Sequence, residues 1–253
     1  MLLSTIIICT VAAFVAGFID AIAGGGGLIT VPAMLLTGVP PHIALGSGKL
    51  GSCVGSGVAL VNFARSGLVL WRVALVGVGF SLLGAYLGSL ATLYLDSALM
   101  GKVLVGMLPI GMLVTLLPRA SKEARPAVLE GPRFWVLAPL TCLLVGMYDG
   151  FFGPGAGSFF IIGFHYILHM HLLAASATAK VMNFASNLGS LVTFLWNGKV
   201  VFALGLPMAV GSIAGNWLGS RMAIRGGGDV VRRFLAVSLC LLFATLVYQY
   251  FIR

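Results

Sequence analysis

Runs of about 20 consecutive apolar residues recur along all 253 residues of this chain, and each is long enough to cross the hydrocarbon core of a bilayer. They fall at about 3–23, 43–64, 70–94, 98–117, 133–152, 174–196, 200–220 and 230–251. Only 8% of the residues are charged, against roughly 25% in a soluble domain. The pattern predicts an all-α polytopic membrane protein of about eight transmembrane segments, multi-pass in the cell (plasma or inner) membrane. The opening "MLLSTIIICTVAAFVAGF" has neither a positive n-region nor a small-residue cleavage site. It reads as a first membrane helix and not as a secretory signal.

The formal net charge of +9 does not point to nucleic acid. The basic residues sit mainly in short polar stretches between the apolar runs, where the cytoplasmic-loop preference for Lys and Arg places them. They build no basic face with interleaved aromatics, so no nucleic-acid partner is expected. The one long hydrophilic stretch, "PRASKEARPAVLEGPR" at residues 118–133, carries Arg119, Lys122, Arg125 and Arg133. It reads as a cytoplasmic linker. Cys9, Cys53, Cys142 and Cys240 lie inside apolar runs without CxxC spacing and read as small packing residues.

The two sides of that linker are related. A shift of 131 residues lays "ALGSGKLGSCVGSGVALVNFARSGLVLW" on "ASATAKVMNFASNLGSLVTFLWNGKVVF". Ala44 then meets Ala175, Lys49 meets Lys180, Phe63 meets Phe194 and Gly67 meets Gly198. "GAYLGS" from Gly84 matches "GNWLGS" from Gly215. Upstream, a shift of 129 pairs Gly17 with Gly146, Asp20 with Asp149 and Gly24 with Gly153. The expected organisation is a first four-segment repeat over 1–117, a linker over 118–132 and a second repeat over 133–253. Internal repeats of this kind characterise secondary transporters, whose sites lie at the repeat interface. Four crossings per half would make the repeats parallel, yet would put Arg221, Arg225, Arg232 and Arg233 opposite the basic linker. A stretch such as 155–170 entering the membrane on its own account would invert the second half. Both topologies are compatible with the sequence.

Asp20, Lys49, Asp149 and Lys180 lie in or at the edge of apolar segments, where each ionised group costs about 2.5–3.5 kcal/mol at a helix centre. Two readings follow. The aspartates neutralise the lysines or anchor broken helix ends, or the lysines face a water-filled cavity and meet substrate. Duplicated placement favours the second. Asp20 is followed by Gly24, Gly25, Gly26 and Gly27, and Asp149 by Gly153, Pro154, Gly155 and Gly157. Such runs release the backbone from helical geometry, which membranes tolerate only inside protein or beside a cavity. The short "LITVPAMLLTG" after the first run is half a span long. Broken or re-entrant helices are therefore expected at both stretches, offering backbone N–H groups to anions. For Gly51, Gly55 and Gly84 close helix packing is the simpler reading. Asn183, Ser186 and Asn187 add polar groups on the helix that carries Lys180.

"GSGKL" at residues 46–50 resembles a phosphate loop but lacks its first glycine and its Ser/Thr. His165, His169 and His171 have partial helical spacing but no carboxylate or thiol nearby in sequence. Neither a metal nor a cofactor is expected. An intramembrane aspartyl-protease-like enzyme is the alternative from another class, but it leaves the paired lysines unexplained.

"GFIDAIAGGGGLITVP" and "GMYDGFFGPGAGSFF" resemble the signature regions of the TauE/SafE family of sulfite-exporter-like permeases, as do "ALGSGKL" and "ASATAKVMNFASN". The resemblance spans essentially the whole chain. It implies a permease, not an enzyme, for a small anion such as sulfite, a sulfonate or a related organosulfur or carboxylate anion. In the expected mechanism of alternating access, Lys49 and Lys180 attract the anion. Backbone at Gly24, Gly25, Gly26, Gly27, Gly153, Gly155 and Gly157, together with Asn183, binds it. Asp20 and Asp149 anchor the breaks or take part in proton coupling. A passive anion channel or facilitator is the alternative within the class. Lipid is a necessary partner, and a homo-oligomer is compatible with the sequence.

Overall fold

The computed structural model describes residues 2–100, 102–103 and 131–247. Eight helices are traced among them: α1 (Leu2–Ala23), α2 (Gly27–Leu36), α3 (Pro41–Arg65), α4 (Trp71–Leu93), α5 (Pro132–Phe151), α6 (Ala156–Tyr166), α7 (Leu172–Trp196) and α8 (Phe202–Val247). The expected segment at 98–117 and linker at 118–132 lie almost wholly outside the described residues. α8 covers both of the last two expected segments, with Gly227 at φ 66° breaking its regularity.

Five of these helices are long and apolar enough to cross a membrane: Leu3–Ala23, Pro41–Arg65, Trp71–Leu93, Pro132–Phe151 and Phe202–Gly227. Their exposed residues are large and apolar, as at Leu3, Ile7, Val11, Leu75, Leu83, Leu206 and Val210, which suits lipid contact. α7 is equally long but too polar for that set. Its Ser, Thr, Asn and Lys side chains are covered by the other helices, while Leu188, Val192, Leu195 and Trp196 are exposed.

Prolines and glycines set the ends. Pro41 and Pro132 occupy first turns, where a missing N–H costs nothing and φ is already helical. α1 stops at Gly24, whose φ is 78°. Its N–H donates to the Asp20 carbonyl at 2.8 Å, closing the last turn. The chain then turns back. Thr37, just past α2, reaches Cys9 near the start of α1 (3.8 Å between Oγ1 and Sγ), and Met34 and Val39 share a core cluster with Cys9 and Ala13. α5 and α6 form a second hairpin. Gly153 and Gly155 at its tip have φ of 90° and 83°. Further along α6, Gly163 lies against the Thr141 methyl.

Helices from opposite halves of the sequence pack most extensively: α1 on α8, α4 on α5, α3 on α8 and α4 on α7. Small residues make this possible, because helices in lipid associate through close van der Waals approach. A Cβ on Gly211, Gly215 or Gly219 would strike the backbone of Thr10, Phe14 or Phe18. On the other side, Gly84 and Gly88 lie as close to Leu143 and Met147, and Gly146 and Gly150 to Ser81 and Ala85. Gly55 and Gly84 are thus close-packed as expected, while Gly51 makes only ordinary contacts, 3.4 Å or more from Met208.

The same contacts give directions. Residues 10, 14 and 18 of α1 lie beside 211, 215 and 219 of α8, so these helices run the same way. α3 also runs with α8, because Ser47 accepts from Val201 N–H near one end and Asn62 donates to Ser220 towards the other. α4 runs with α7, since Leu70 N–H donates to Thr178 and Ser81 to the Met182 carbonyl. Residues 143 and 147 of α5 lie beside 84 and 88 of α4. As α3 and α4 are joined by a short turn, the helices matched by the 131-residue shift, α3 with α7 and α4 with α8, run in opposite directions. The two hairpins enter from opposite ends and meet inside. Gly24 abuts Gly157, and Gly27 abuts Pro154. Of the two arrangements compatible with the sequence, this geometry is the inverted one.

Candidate functional site

The meeting of the hairpin tips explains how four charges are accommodated. Lys180, on α7, reaches Asp20 of α1, with Nζ 3.0 Å from Oδ2. It also donates to the Asp20 backbone carbonyl. Lys49, on α3, reaches Asp149 of α5, with Nζ 2.9 Å from Oδ1. Each lysine therefore pairs with the aspartate of the other half. Lys180 is 0% exposed, Lys49 5% and Asp149 3%, and the Asp20 side chain is 17% exposed. Unpaired at a helix centre, four such charges would cost on the order of 10 kcal/mol. The crossed pairs bring their sum to zero, and each carboxylate is held by a lysine and not by its fellow carboxylate.

The two ion pairs are not equivalent. Asp20 Oδ1 accepts from Gly26 N–H at 3.4 Å, and Asn183 Nδ2 donates to Oδ2 at 3.2 Å. Asn187 in turn donates to the Asn183 side-chain oxygen at 3.1 Å. Asp20 is therefore the anchor of the first break, as the sequence reading allowed. At the second break Tyr148 takes that role, its hydroxyl donating to the Pro154 carbonyl at 2.8 Å. Ser158 ties the breaks together, donating through its N–H to the Gly24 carbonyl at 3.1 Å and through its hydroxyl to that of Ala23 at 2.7 Å.

A small, partly open cavity lies between the tips. Asp20, Gly24, Gly27, Thr30, Gly48, Lys49, Ser52, Asp149, Gly153, Pro154, Gly157, Asn183 and Asn187 line it. A second, smaller one shares Asp20, Thr30, Gly48 and Ser52 and extends to Gly26, Ser212 and Asn216. Most residues singled out in the sequence thus come together at one place. Three do not line either cavity. Lys180 lies behind Asp20, Gly155 lies against Leu28, and Gly25 is buried in the first turn-back. The expectation that both lysines face one cavity holds for Lys49 alone, because Lys180 is fully engaged with Asp20. Of the backbone amides expected to meet an anion, those of Gly24 and Gly153 donate to the Asp20 and Tyr148 carbonyls, and that of Gly26 to the Asp20 carboxylate. Sequence reasoning missed Thr30, Ser52, Ser212 and Asn216. Asn216, in the "GNWLGS" used only to align the halves, was the detectable signal, since an amide in an apolar helix needs a partner. The histidines stay apart from the site: α6 ends at Tyr166, so His165 and His169 do not share a helix face, and His165 bonds the Met170 carbonyl at 2.8 Å.

Crossed helix hairpins, inward-facing charges and a polar cavity at their tips define a membrane transporter. Comparison with known proteins agrees. The family model "Sulfite exporter TauE/SafE" matches residues 9–246, and the chain belongs to that family. It is 41% identical to a probable membrane transporter protein, ORF9, of Sinorhizobium sp over 229 residues, covering 90% of this chain and 86% of that one. With the probable membrane transporter protein YfcA of Escherichia coli K12 it shares 36% identity over 238 residues, 94% and 87% of the two chains. With a probable membrane transporter protein of Haemophilus influenzae it shares 39% over 237 residues, 93% and 92%. No solved structure gives a significant match.

Proposed function

We propose that this chain is a secondary transporter of a small anion, with sulfite, sulfonates and related organosulfur or carboxylate anions as its candidate substrates, working by alternating access. The observation that carries the reading is Lys49, a buried ammonium lining a polar cavity where two broken helices meet. A lysine there is a strongly hydrated point charge suited to an oxyanion. Gly24, Gly27, Gly153 and Gly157 let the backbone approach the same space, and Asn183 and Ser52 supply neutral donors. Because each ion pair joins the two halves, a change in either pair shifts one half relative to the other, as alternating access requires.

The arginines support an orientation. Arg65 and Arg72 flank the α3–α4 turn, Arg72 lies 4.8 Å over Phe134 beside Arg133, and Arg221 and Arg225 follow Ser220, which Asn62 holds near the same end. By the preference of Lys and Arg for cytoplasmic loops, we place that end in the cytoplasm.

Purified protein in liposomes, offered sulfite, thiosulfate, methanesulfonate and acetate, tests the function. Saturable uptake of at least one, stimulated by the same anion trapped on the far side, is the expected result. The absence of flux for all four with folded protein would refute it. Flux without counterflow would favour the passive channel. Lys49→Ala is expected to lower uptake by about ten- to a hundredfold, the worth of one charge-assisted hydrogen bond.

A further inference from the structure

We propose that Asp149 is the proton-binding group of this transporter, and that protonation there releases Lys49 to hold the anion. The proposal rests on the anion-transport reading above and adds its coupling ion and the residue that carries it.

The two halves treat their aspartates differently. Both carboxylate oxygens of Asp20 are engaged, by Lys180, Asn183 and Gly26 N–H. Asp149 has one oxygen on Lys49, and its buried Oδ2 has no hydrogen-bond partner among the described residues. The structure gives the reason. Under the 131-residue shift Ser52 stands where the second half has Asn183, and a hydroxymethyl group is shorter than a carboxamide. Ser52 and Asp149 both line the cavity, while Oδ2 itself is covered, so its protonation accompanies the parting of the tips that lets water in.

Charge then links that proton to the anion. The cavity is lined by two carboxylates and one ammonium, with Lys180 set behind Asp20. An anion entering this space meets a lysine already committed to Asp149. A proton added to Asp149 Oδ2 forms an O–H bond, leaves a neutral carboxyl group and breaks no other covalent bond. Lys49 keeps its charge and loses its counter-ion, so the anion replaces the carboxylate. A monoanion and a proton then move together without net charge. Among the described residues the other titratable groups nearby are engaged elsewhere, covered or exposed. α3 contributes Lys49, the buried thiol of Cys53 and His42, bonded to Ser97 and the Thr92 carbonyl; α5 itself contributes Tyr148, whose hydroxyl is bonded to Pro154, and α7 Lys180, paired with Asp20 of α1. From α4 come Arg72, stacked on Phe134, and Tyr86, which is exposed; from α6 come His165, bonded to Met170, and Tyr166.

Methanesulfonate is the discriminating probe, because a sulfonate stays ionised and carries no proton of its own across the membrane. If methanesulfonate is not carried, the anion moved in the four-anion panel above takes its place. Uptake and internal acidification are measured together in liposomes. The native protein is expected to move protons and anions at a ratio near one. Asp149→Asn, which mimics the neutral carboxyl, is expected to bring the ratio near zero, and Ser52→Asn to lower it by partnering Oδ2. Asp96→Asn, which removes an exposed carboxylate away from the cavity, is expected to leave it near one. Should Asp149→Asn fail to fold, infrared difference spectra decide. Adding the anion should raise the carbonyl band of a protonated carboxylic acid in the native protein and in Asp96→Asn, and raise it less in Ser52→Asn. Anion uptake without proton movement, or a ratio lost in Asp20→Asn and kept in Asp149→Asn, overturns the proposal while the transport reading stands. No uptake of any anion in the panel overturns the transport reading itself.

Discussion

At the scale of single residues, the matched lysines have different duties and should fail differently. Lys180 is fully buried against Asp20, so Lys180→Ala leaves a carboxylate without its counter-ion. That loss is expected to cost about 3–5 kcal/mol, read as a lower melting temperature and a poor yield of extracted protein. Lys49→Ala leaves Asp149 beside a cavity that admits water, so its stability should fall less while transport falls more. Equal loss of stability in both variants would contradict this division. Glycines divide in the same way. Gly24 has positive φ, and a Cβ there would meet the Gly157 backbone, whereas Gly38 has positive φ with nothing within 4 Å. Gly24→Ala should therefore prevent hairpin assembly, while Gly38→Ala should cost only the left-handed strain of about 1–2 kcal/mol. The four charges and the glycine runs were legible in the sequence because such residues are expensive in lipid. The inequality of the lysines was not, because it depends on what two ordinary polar residues reach in space: Asn183 bonds Asp20, 163 positions away, and Ser52 leaves Asp149 Oδ2 without a partner.

Among the elements, the spans that face lipid were the easiest to read. α1, α3, α4, α5 and the first part of α8 begin and end within a few residues of the apolar runs, because lipid demands apolar side chains throughout the exposed surface. α7 was recognisable as a segment, yet its polar content carries no signature of membrane depth. A helix face covered by protein answers to its neighbours and not to lipid. The half-length of α2 was likewise visible, but not that it folds back along α1, which follows from contacts such as Thr37 with Cys9. Direction was the largest gap, since a shift in register says nothing about which way the matched helices point. The antiparallel relation of α3 and α7 makes a prediction at this scale. The turn after α3 and the turn after α7 should lie on opposite sides of the membrane. Ser66 and Asn197 are both exposed. In whole cells, Asn197→Cys should react with a membrane-impermeant maleimide, and Ser66→Cys only after permeabilisation, against the native protein as background. Labelling of both, or of neither, from outside would contradict the inverted arrangement. Labelling of Ser66→Cys alone would reverse the proposed orientation.

At the scale of the whole molecule, the described parts of the two expected halves are not independent bodies. Among the described residues, the first helix of each packs along a helix of the other, α1 on the first part of α8 and α5 on α4. The glycine ridges that permit this contact are complementary only across the halves, and so are the ion pairs. A single half would expose the ridge of its first helix and carry one aspartate and one lysine, each deprived of its partner. Uncompensated charges of this kind cost about 2.5–3.5 kcal/mol apiece at membrane depth, a large part of a protein's net stability. Residues 1–117 and 133–253 produced separately are therefore expected to be degraded or to aggregate. The same two fragments produced together should assemble, because the junction between them is a hydrophilic stretch and all the crossed contacts lie outside it. The measurement is co-purification through a tag on one fragment, followed by anion uptake in liposomes. Recovery of either fragment alone as a stable monomer would show that the crossed contacts are dispensable. Assembly of the native fragments, but not when one of them carries Asp20→Leu or Lys180→Leu, would show that the first buried pair helps to hold the two halves as one transporter.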